Sequence, residues 1–116
     1  MNAPGRSCPL HYRYDPASLA THQPLDAEVL YIVGGLYGNP HALDSVFALA
    51  DAEHGRVRVI FNGDFHWFDA DTTLFLDIDR RVMRHDAMRG NVETELASSG
   101  SDAGCGCGYP DWVGDD

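Results

Sequence analysis

A chain of 116 residues has room for one small domain and little more. Eighteen acidic residues against eight basic ones give a formal net charge of −10, which argues against nucleic acid as the main partner, because binding its backbone relies on Lys and Arg. No apolar run is long enough to span a membrane, residues 1–10 lack the apolar segment of a signal peptide, and three cysteines are too few for a disulfide framework, so we expect a cytoplasmic protein.

The predicted elements begin after an irregular N-terminal segment, residues 1–27, which is rich in Pro, His, Ser and Ala. Within this segment, Asp15 can cap one helical turn that has Pro16 at its first position. Residues 29–33 form a continuous apolar run rich in β-branched side chains, which is typical of a buried strand in a parallel sheet. Gly34 and Gly35 are expected to end this strand.

An amphipathic helix is predicted next, with Pro40 at its first position and Gly55 as its stop signal. Its apolar side chains share one face: Leu43, Val46, Phe47 and Ala50. Residues 57–61 form another apolar run and predict a second buried strand.

The remaining elements are a third helix, a weak strand and a short last helix. Asp71 is the expected cap of a helix whose apolar stripe comprises Leu74, Phe75, Ile78 and Val82. A strand is predicted at residues 85–89 and a helix at 93–97, followed by a poorly ordered tail rich in Gly, Ser and Asp at 98–116. Two cysteines of the tail, Cys105 and Cys107, could bind zinc together with Cys8, but their spacing matches no well-defined zinc module and free thiols are favoured.

The order β-α-β-α-β-α across residues 28–97 predicts an α/β unit with a mainly parallel three-stranded sheet. The carboxyl ends of parallel strands meet at one edge of a sheet, where ligands bind. Three strand-to-helix junctions would lie there, at residues 34–39, 62–66 and 89–93, and each contains glycine. Asp64 and Asn91 offer oxygen ligands for a metal, and His66 and His85 offer imidazole nitrogen.

The three junctions resemble the loops of the calcineurin-like metallophosphoesterases. The first half of that family carries an Asp-x-His-Gly-Asn loop, a Gly-Asp loop and an Arg-Gly-Asn-His-(Asp/Glu) loop. The counterparts here are Gly-Leu-Tyr-Gly-Asn at 35–39, Asn-Gly-Asp at 62–64 and Arg-Gly-Asn-Val-Glu at 89–93. The resemblance covers residues 28–97 and implies one half of the family's β-sandwich, with phosphatase or phosphodiesterase activity on small phosphate esters and a divalent metal of the Mn, Fe, Zn or Mg class.

Carried over residue by residue, the resemblance makes Asp64 the bridging metal ligand and Asn91 the ligand of the second metal. The first-loop Asp and His of the family are replaced by Gly35 and Tyr37, and the third-loop His is replaced by Val92. The family's other His ligands lie in a C-terminal half that would follow these residues. The chain is therefore expected to be a truncated member with an impaired metal site.

His66 is the predicted catalytic group, on the hypothesis that it partly replaces a lost ligand. The alternative is that His66 and Trp67 pack over the loop as ordinary semi-exposed side chains. Asp64 could instead be a capping carboxylate, and Asn91 an N-cap. Other nearby side chains could compensate for lost ligands: His41, Asp69, His85 and Glu93.

Four residues are predicted to shape the substrate side of the site: Gly38, Asn39, Asn62 and Tyr37. The Tyr37 hydroxyl could donate a hydrogen bond to a phosphate oxygen, or its ring could fill the space left by a missing metal. A rival function is a non-catalytic module that binds phosphate or nucleotide through loop amides and helix N-termini, and another is an inactive fragment. Half of a sandwich also leaves an apolar sheet face uncovered, which favours self-association.

Overall fold

The computed structural model describes residues 15–97. Its elements in chain order are α1 (Pro16–Leu19), β1 (Val29–Val33), α2 (Pro40–Asp51), β2 (Val57–Asn62), α3 (Thr72–Val82), β3 (Asp86–Met88) and α4 (Asn91–Ala97). The predictions for residues 1–14, for the tail at 98–116 and for the three cysteines fall outside the described part of the chain. Within 15–97, no helix is long and apolar enough to cross a membrane.

The three strands form one parallel sheet in the order β1-β2-β3. Val29 pairs with Val57 and Val33 with Phe61, while the shorter β3 meets only the second half of β2, from Ile60 to Asn62. The predicted α/β class with parallel strands and interleaved helices is confirmed.

Three helices begin at the positions that the sequence indicates, after Asp15, at Pro40 and after Asp71. Asp15 accepts a hydrogen bond from the Ala17 amide, and Asp71 accepts one from the Leu74 amide. Asn39, which precedes Pro40, accepts from two amides of the first turn of α2. These bonds satisfy amides that have no partner within the helix.

The ends of some elements differ from the prediction. α2 stops at Asp51 and not at Gly55, whose positive φ of 93° serves the turn into β2. α4 begins at Asn91 and not at Glu93, so Asn91 is the first helical residue and not an N-cap. β3 has three residues where five were predicted, because only its part beside Ile60–Asn62 finds pairing partners.

The hydrophobic core lies on one face of the sheet, under α2 and α3. Alternate residues of β2, Val59 and Phe61, point to this face and are buried. The helices contribute fully buried side chains from the predicted apolar faces: Leu43, Ile78 and Val82. A cluster of this kind supplies most of the driving force for folding, because burying each large apolar side chain contributes roughly 1.5–3 kcal/mol.

The opposite face of the sheet is exposed at residues of its two outer strands. By strand alternation it presents Leu30 and Ile32 of β1, which are 46% and 66% exposed, and Met88 of β3, which is 53% exposed. Arg58 and Asp86 form an ion pair at 2.5 Å on this face. The described residues therefore leave one side of the sheet apolar and open.

Candidate functional site

The loops after β2 and β3 pass each other closely at the carboxyl edge of the sheet. A Cβ atom added to Gly63 would lie 2.5 Å from the Gly90 nitrogen, and one added to Gly90 would lie 2.0 Å from Asp64 Oδ1. Gly63 also has a positive φ of 79°, which side chains rarely adopt. Glycine at these two positions lets the loops approach to backbone contact, which brings Asp64 next to the start of α4.

Asp64 and Asn91, the two predicted metal ligands, lie side by side. Asp64 Oδ1 accepts a hydrogen bond from the Val92 amide at 3.2 Å. With its amide nitrogen toward Asp64, Asn91 donates to both carboxylate oxygens at 3.2 Å. Both residues are only half-buried, so solvent can reach this pair.

The backbone at Asp64 is unusual as well, because its φ is 53°. Left-handed backbone is uncommon for residues other than glycine, although Asp and Asn tolerate it better than most. The Asp64 carbonyl accepts from the Tyr37 amide at 3.0 Å, which ties the second loop to the first. The strained backbone therefore aims the carboxylate of Asp64 toward the third loop.

Glu93 holds the second and third loops together. Its Oε2 accepts from the amides of Asp64 at 2.8 Å and Gly90 at 2.9 Å, and its Oε1 accepts from the amides of Phe65 at 3.0 Å and His66 at 3.1 Å. These contacts make Glu93 a loop anchor and occupy both of its oxygens. A Glu three residues after a helix N-cap is the signal for half of this arrangement, because such a side chain reaches back to the N-cap amide.

His66 is buried, so the expectation that it packs semi-exposed over the loop is wrong. Only 2% of it is accessible, and its ring stacks on Phe75 with centroids 3.9 Å apart. Its Nδ1 lies 2.5 Å from Asp69 Oδ2, and its Nε2 lies 3.5 Å from Asp79 Oδ1. Trp67, in contrast, is 40% exposed, as expected.

Asp69, which is also buried, supports the loop from inside. Its second oxygen, Oδ1, accepts from the Trp67 amide at 2.9 Å, while Oδ2 contacts His66. Gly38 of the first loop passes directly over it, since a Cβ at Gly38 would lie 2.7 Å from the Asp69 nitrogen. The His66–Asp69 pair thus fills the loop interior. Neither the contact between the two side chains nor their burial could be predicted from the sequence.

In the first loop, the Tyr37 ring lies where a side chain at position 35 would project. A Cβ on Gly35 would come within 2.5 Å of the ring and 2.8 Å of its hydroxyl oxygen. The family's aspartate at this position could not coexist with this placement of Tyr37. Tyr37 as a whole residue remains 47% exposed.

The other predicted site residues are only partly brought together. Asn39 lies at the same edge, but its side-chain oxygen accepts from the His41 and Ala42 amides. Asn62 is exposed and, by strand alternation, lies on the open face of the sheet. His85 precedes β3, so parallel pairing places it at the opposite edge, where it stacks on Phe47 with centroids 4.9 Å apart. His85 therefore does not join the site.

Next to the Asp64–Asn91 pair is a cavity of about 550 Å³ between the second loop, α3 and α4. His66 and Asn91 line it together with apolar side chains, including Phe75 and Leu96. A space of this size is within the range of small-molecule sites. It opens beside Asn91 and not beneath the sheet core.

The donors at this edge fit a hard divalent cation better than a soft one. Asp64 supplies a carboxylate and Asn91 an amide oxygen if its side chain turns, and both are ligands for Mg²⁺ and Mn²⁺. Across residues 15–97 there is no group of three or more His, Cys, Asp or Glu side chains that could hold a metal ion. Ligation by the described residues would therefore be incomplete, as in sites that Mg²⁺ shares with water and substrate phosphate.

Comparisons with known proteins add no further constraint. No protein-family model, no curated protein and no solved structure matches this chain. Membership of the metallophosphoesterases accordingly stays a prediction from the three loop motifs, and the geometry of the loops is the basis for a functional proposal.

Proposed function

We propose that the Asp64–Asn91 edge is a divalent-metal site and that this chain carries a metal-dependent phosphoesterase domain acting on small phosphate esters. The observation that carries the proposal is the meeting of Asp64 and Asn91, which come from two different strand-to-helix junctions and lie within 3.2 Å of each other. These are the two positions at which the loop motifs predict ligands. Their meeting at the carboxyl edge of a parallel sheet supports a ligand site there.

A bound divalent cation would supply Lewis-acid polarisation of a phosphate oxygen and an activated water. Asp64 contributes the negative charge that attracts the cation, and the Val92 amide fixes one of its two oxygens. Asn91 contributes a neutral oxygen and lines the adjoining cavity, where the organic part of an ester can lie.

His66 lines the same cavity and stays the predicted catalytic side chain. Its Nδ1 faces the carboxylate of Asp69, which accepts a hydrogen bond from the ring when Nδ1 carries the proton. Nε2 is left toward Asp79 and the cavity wall. Phe75 stacks on the ring and excludes water from one of its faces.

A module that binds phosphate through loop amides is favoured less by these contacts. Three consecutive amides of the second loop and the Gly90 amide already donate to Glu93. In the first turns of α2 and α3, the His41 and Ala42 amides donate to Asn39 and the Leu74 amide donates to Asp71. A phosphate group would have to displace these side-chain acceptors, whereas a cation at Asp64 requires only that the Asn91 side chain turn its oxygen toward the cation.

The test is Mn²⁺ titration calorimetry on the wild-type chain and on Asp64→Asn, with p-nitrophenyl phosphate turnover measured alongside. Asn keeps an oxygen for the Val92 amide and tolerates the positive φ, so it removes mainly the charge. Asp51→Asn, at the exposed end of α2, is the matched control for the loss of one charge. We expect micromolar binding and turnover in the wild type and in the control, and loss of both in Asp64→Asn.

Two other results would each decide against part of the proposal. Binding that survives unchanged in Asp64→Asn would place the metal elsewhere. No binding and no turnover in the wild type would leave the inactive-fragment alternative, in which the fold is retained without its chemistry.

A further inference from the structure

Glu93 is a buried carboxylate whose only described partners are backbone amides. It is 8% exposed, and its two oxygens accept four hydrogen bonds, from Asp64, Phe65, His66 and Gly90 at 2.8–3.1 Å. A buried charge is costly unless it is well satisfied by hydrogen bonds. Four donors on one carboxylate meet that requirement and indicate a specific structural task.

The four amides belong to the two loops that bear the proposed ligands. A single oxygen, Oε2, connects the two loops, because it accepts from the amide of Asp64 in the second loop and from that of Gly90 in the third. Oε1 accepts from the next two amides of the second loop. The Glu93 carboxylate therefore sets the distance between Asp64 and Gly90, the residue that precedes Asn91.

The backbone at Asp64 needs such a support. Its φ of 53° is unfavourable for a residue with a side chain, and conformations of this kind persist only when the surroundings hold them in place. The Glu93 bonds to the amides of Asp64 and Phe65 lie on both sides of that backbone unit. Without them the loop can relax, and the Asp64 carboxylate would then move away from Asn91.

We propose that Glu93 is the positioning residue of the Asp64–Asn91 site, a role that rests on the proposed metal-binding function. Glu93 does not bind the cation, because its oxygens are taken up by loop amides. It acts by holding the second and third loops at the spacing that lets one cation contact both ligands. This role differs from that of a helix cap, which would involve only the amides at the start of α4.

The first variant is Glu93→Gln, which keeps the shape but has a single acceptor oxygen. Whichever way the Gln amide turns, its NH2 group faces two backbone donors, so one pair of hydrogen bonds is lost. The second variant is Glu93→Asp, which keeps the charge but is one methylene too short to reach both loops. Glu53→Gln, at an exposed site that contacts Tyr31, is the matched control for the charge change.

Two measurements are made on the full chain: Mn²⁺ affinity by calorimetry, and backbone amide hydrogen exchange by NMR without metal. In Glu93→Gln we expect Mn²⁺ affinity to fall about 10–100-fold, the range found for residues that orient metal ligands. Amide exchange should accelerate at least about tenfold at Asp64 and Gly90, because charge-assisted hydrogen bonds are lost there. Glu93→Asp should lie between wild type and Glu93→Gln, and Glu53→Gln should match wild type in both measurements.

A third variant, Glu93→Ala, is tested for rescue by added formate. Formate can re-enter among the four amides, so we expect it to restore Mn²⁺ affinity in Glu93→Ala and to leave the wild type unchanged. A protein that has merely lost core packing would not respond to a small carboxylate. If Glu93→Gln or Glu93→Ala does not fold, Glu93→Asp and its exchange rates decide the question.

The outcomes separate the two proposals. Wild-type Mn²⁺ affinity in a folded Glu93→Gln variant would overturn the positioning role while leaving the metal site intact. If the wild type itself binds no Mn²⁺, the metal proposal fails, and unchanged exchange at Asp64 in Glu93→Gln would then overturn the positioning role as well.

Discussion

Gly63→Ala is expected to destabilise the domain strongly through the close passage of two loops. The added Cβ would lie 2.5 Å from the nitrogen and 2.6 Å from the Cα of Gly90, which are backbone atoms that no rotamer change can move away. The positive φ of 79° costs an alanine about 1–2 kcal/mol, and crowding in a packed region typically costs about 1–3 kcal/mol. The smaller entropy of the unfolded alanine chain offsets about 0.4–1 kcal/mol of this.

The net expectation is a loss of roughly 2–4 kcal/mol in the free energy of unfolding, measured by urea denaturation followed by circular dichroism. For a domain of this size the melting temperature should fall by about 10 °C or more. Gly34→Ala is the matched control, because a Cβ there meets nothing within 4 Å and the backbone has no positive φ. We expect it to be neutral or to gain up to about 1 kcal/mol.

If Gly63→Ala unfolds within about 0.5 kcal/mol of wild type, the reasoning from loop contact is refuted, since changes of that size are ordinary for surface sites. Such a result would mean that the second and third loops do not pass each other at backbone contact. The spacing of Asp64 and Asn91 would then lose its structural basis, because Gly63 and Gly90 create it.

Two further predictions concern the rest of the domain. The hydrogen bond from the Tyr31 hydroxyl to Glu53 raises the pKa of Tyr31 above its usual value of about 10. The contribution of this hydrogen bond to stability is therefore fully present below about pH 10 and is lost as the pH rises through the raised pKa. An absorbance titration of the wild type minus Tyr31→Phe should show this raised pKa, and Glu53→Gln should lower it; an equal pKa in both would contradict the assignment. For the open sheet face, we expect self-association in sedimentation equilibrium that Ile32→Lys reduces and that Leu49→Lys, on an exposed part of α2, leaves unchanged; equal effects of the two lysines would speak against this face.

Much of the local structure could be predicted from individual residues in the sequence. Pro40 and the capping residues Asp15 and Asp71 predicted where helices begin. The Asp side chains accept hydrogen bonds from amides of the first helical turn, and proline has no amide hydrogen that would need a partner there. The continuous apolar runs predicted β1 and β2, since strands covered by crossover helices need apolar side chains. Where pairing decided the boundary, as for β3, the prediction was less accurate.

Only part of the candidate site could be predicted from the sequence. The positions of Asp64 and Asn91 follow from parallel topology, because all strand ends share one edge. The same rule excludes His85, which precedes its strand, and the prediction overlooked this. The burial of His66 and its contact with Asp69 depend on how the second loop folds over α3, and no periodicity in the sequence encodes that path.

Residue types and their spacing alone predicted the order of strands and helices, the apolar faces that form the core, and the junctions at which Asp64 and Asn91 lie. These properties depend on near neighbours, whose spacing along the chain is also their spacing in an element. The joining of two loops by Glu93 and the placement of the Tyr37 ring over Gly35 became visible only in the folded chain. Such contacts join residues brought together by folding, and their geometry depends on backbone angles and close approaches that residue types alone do not specify.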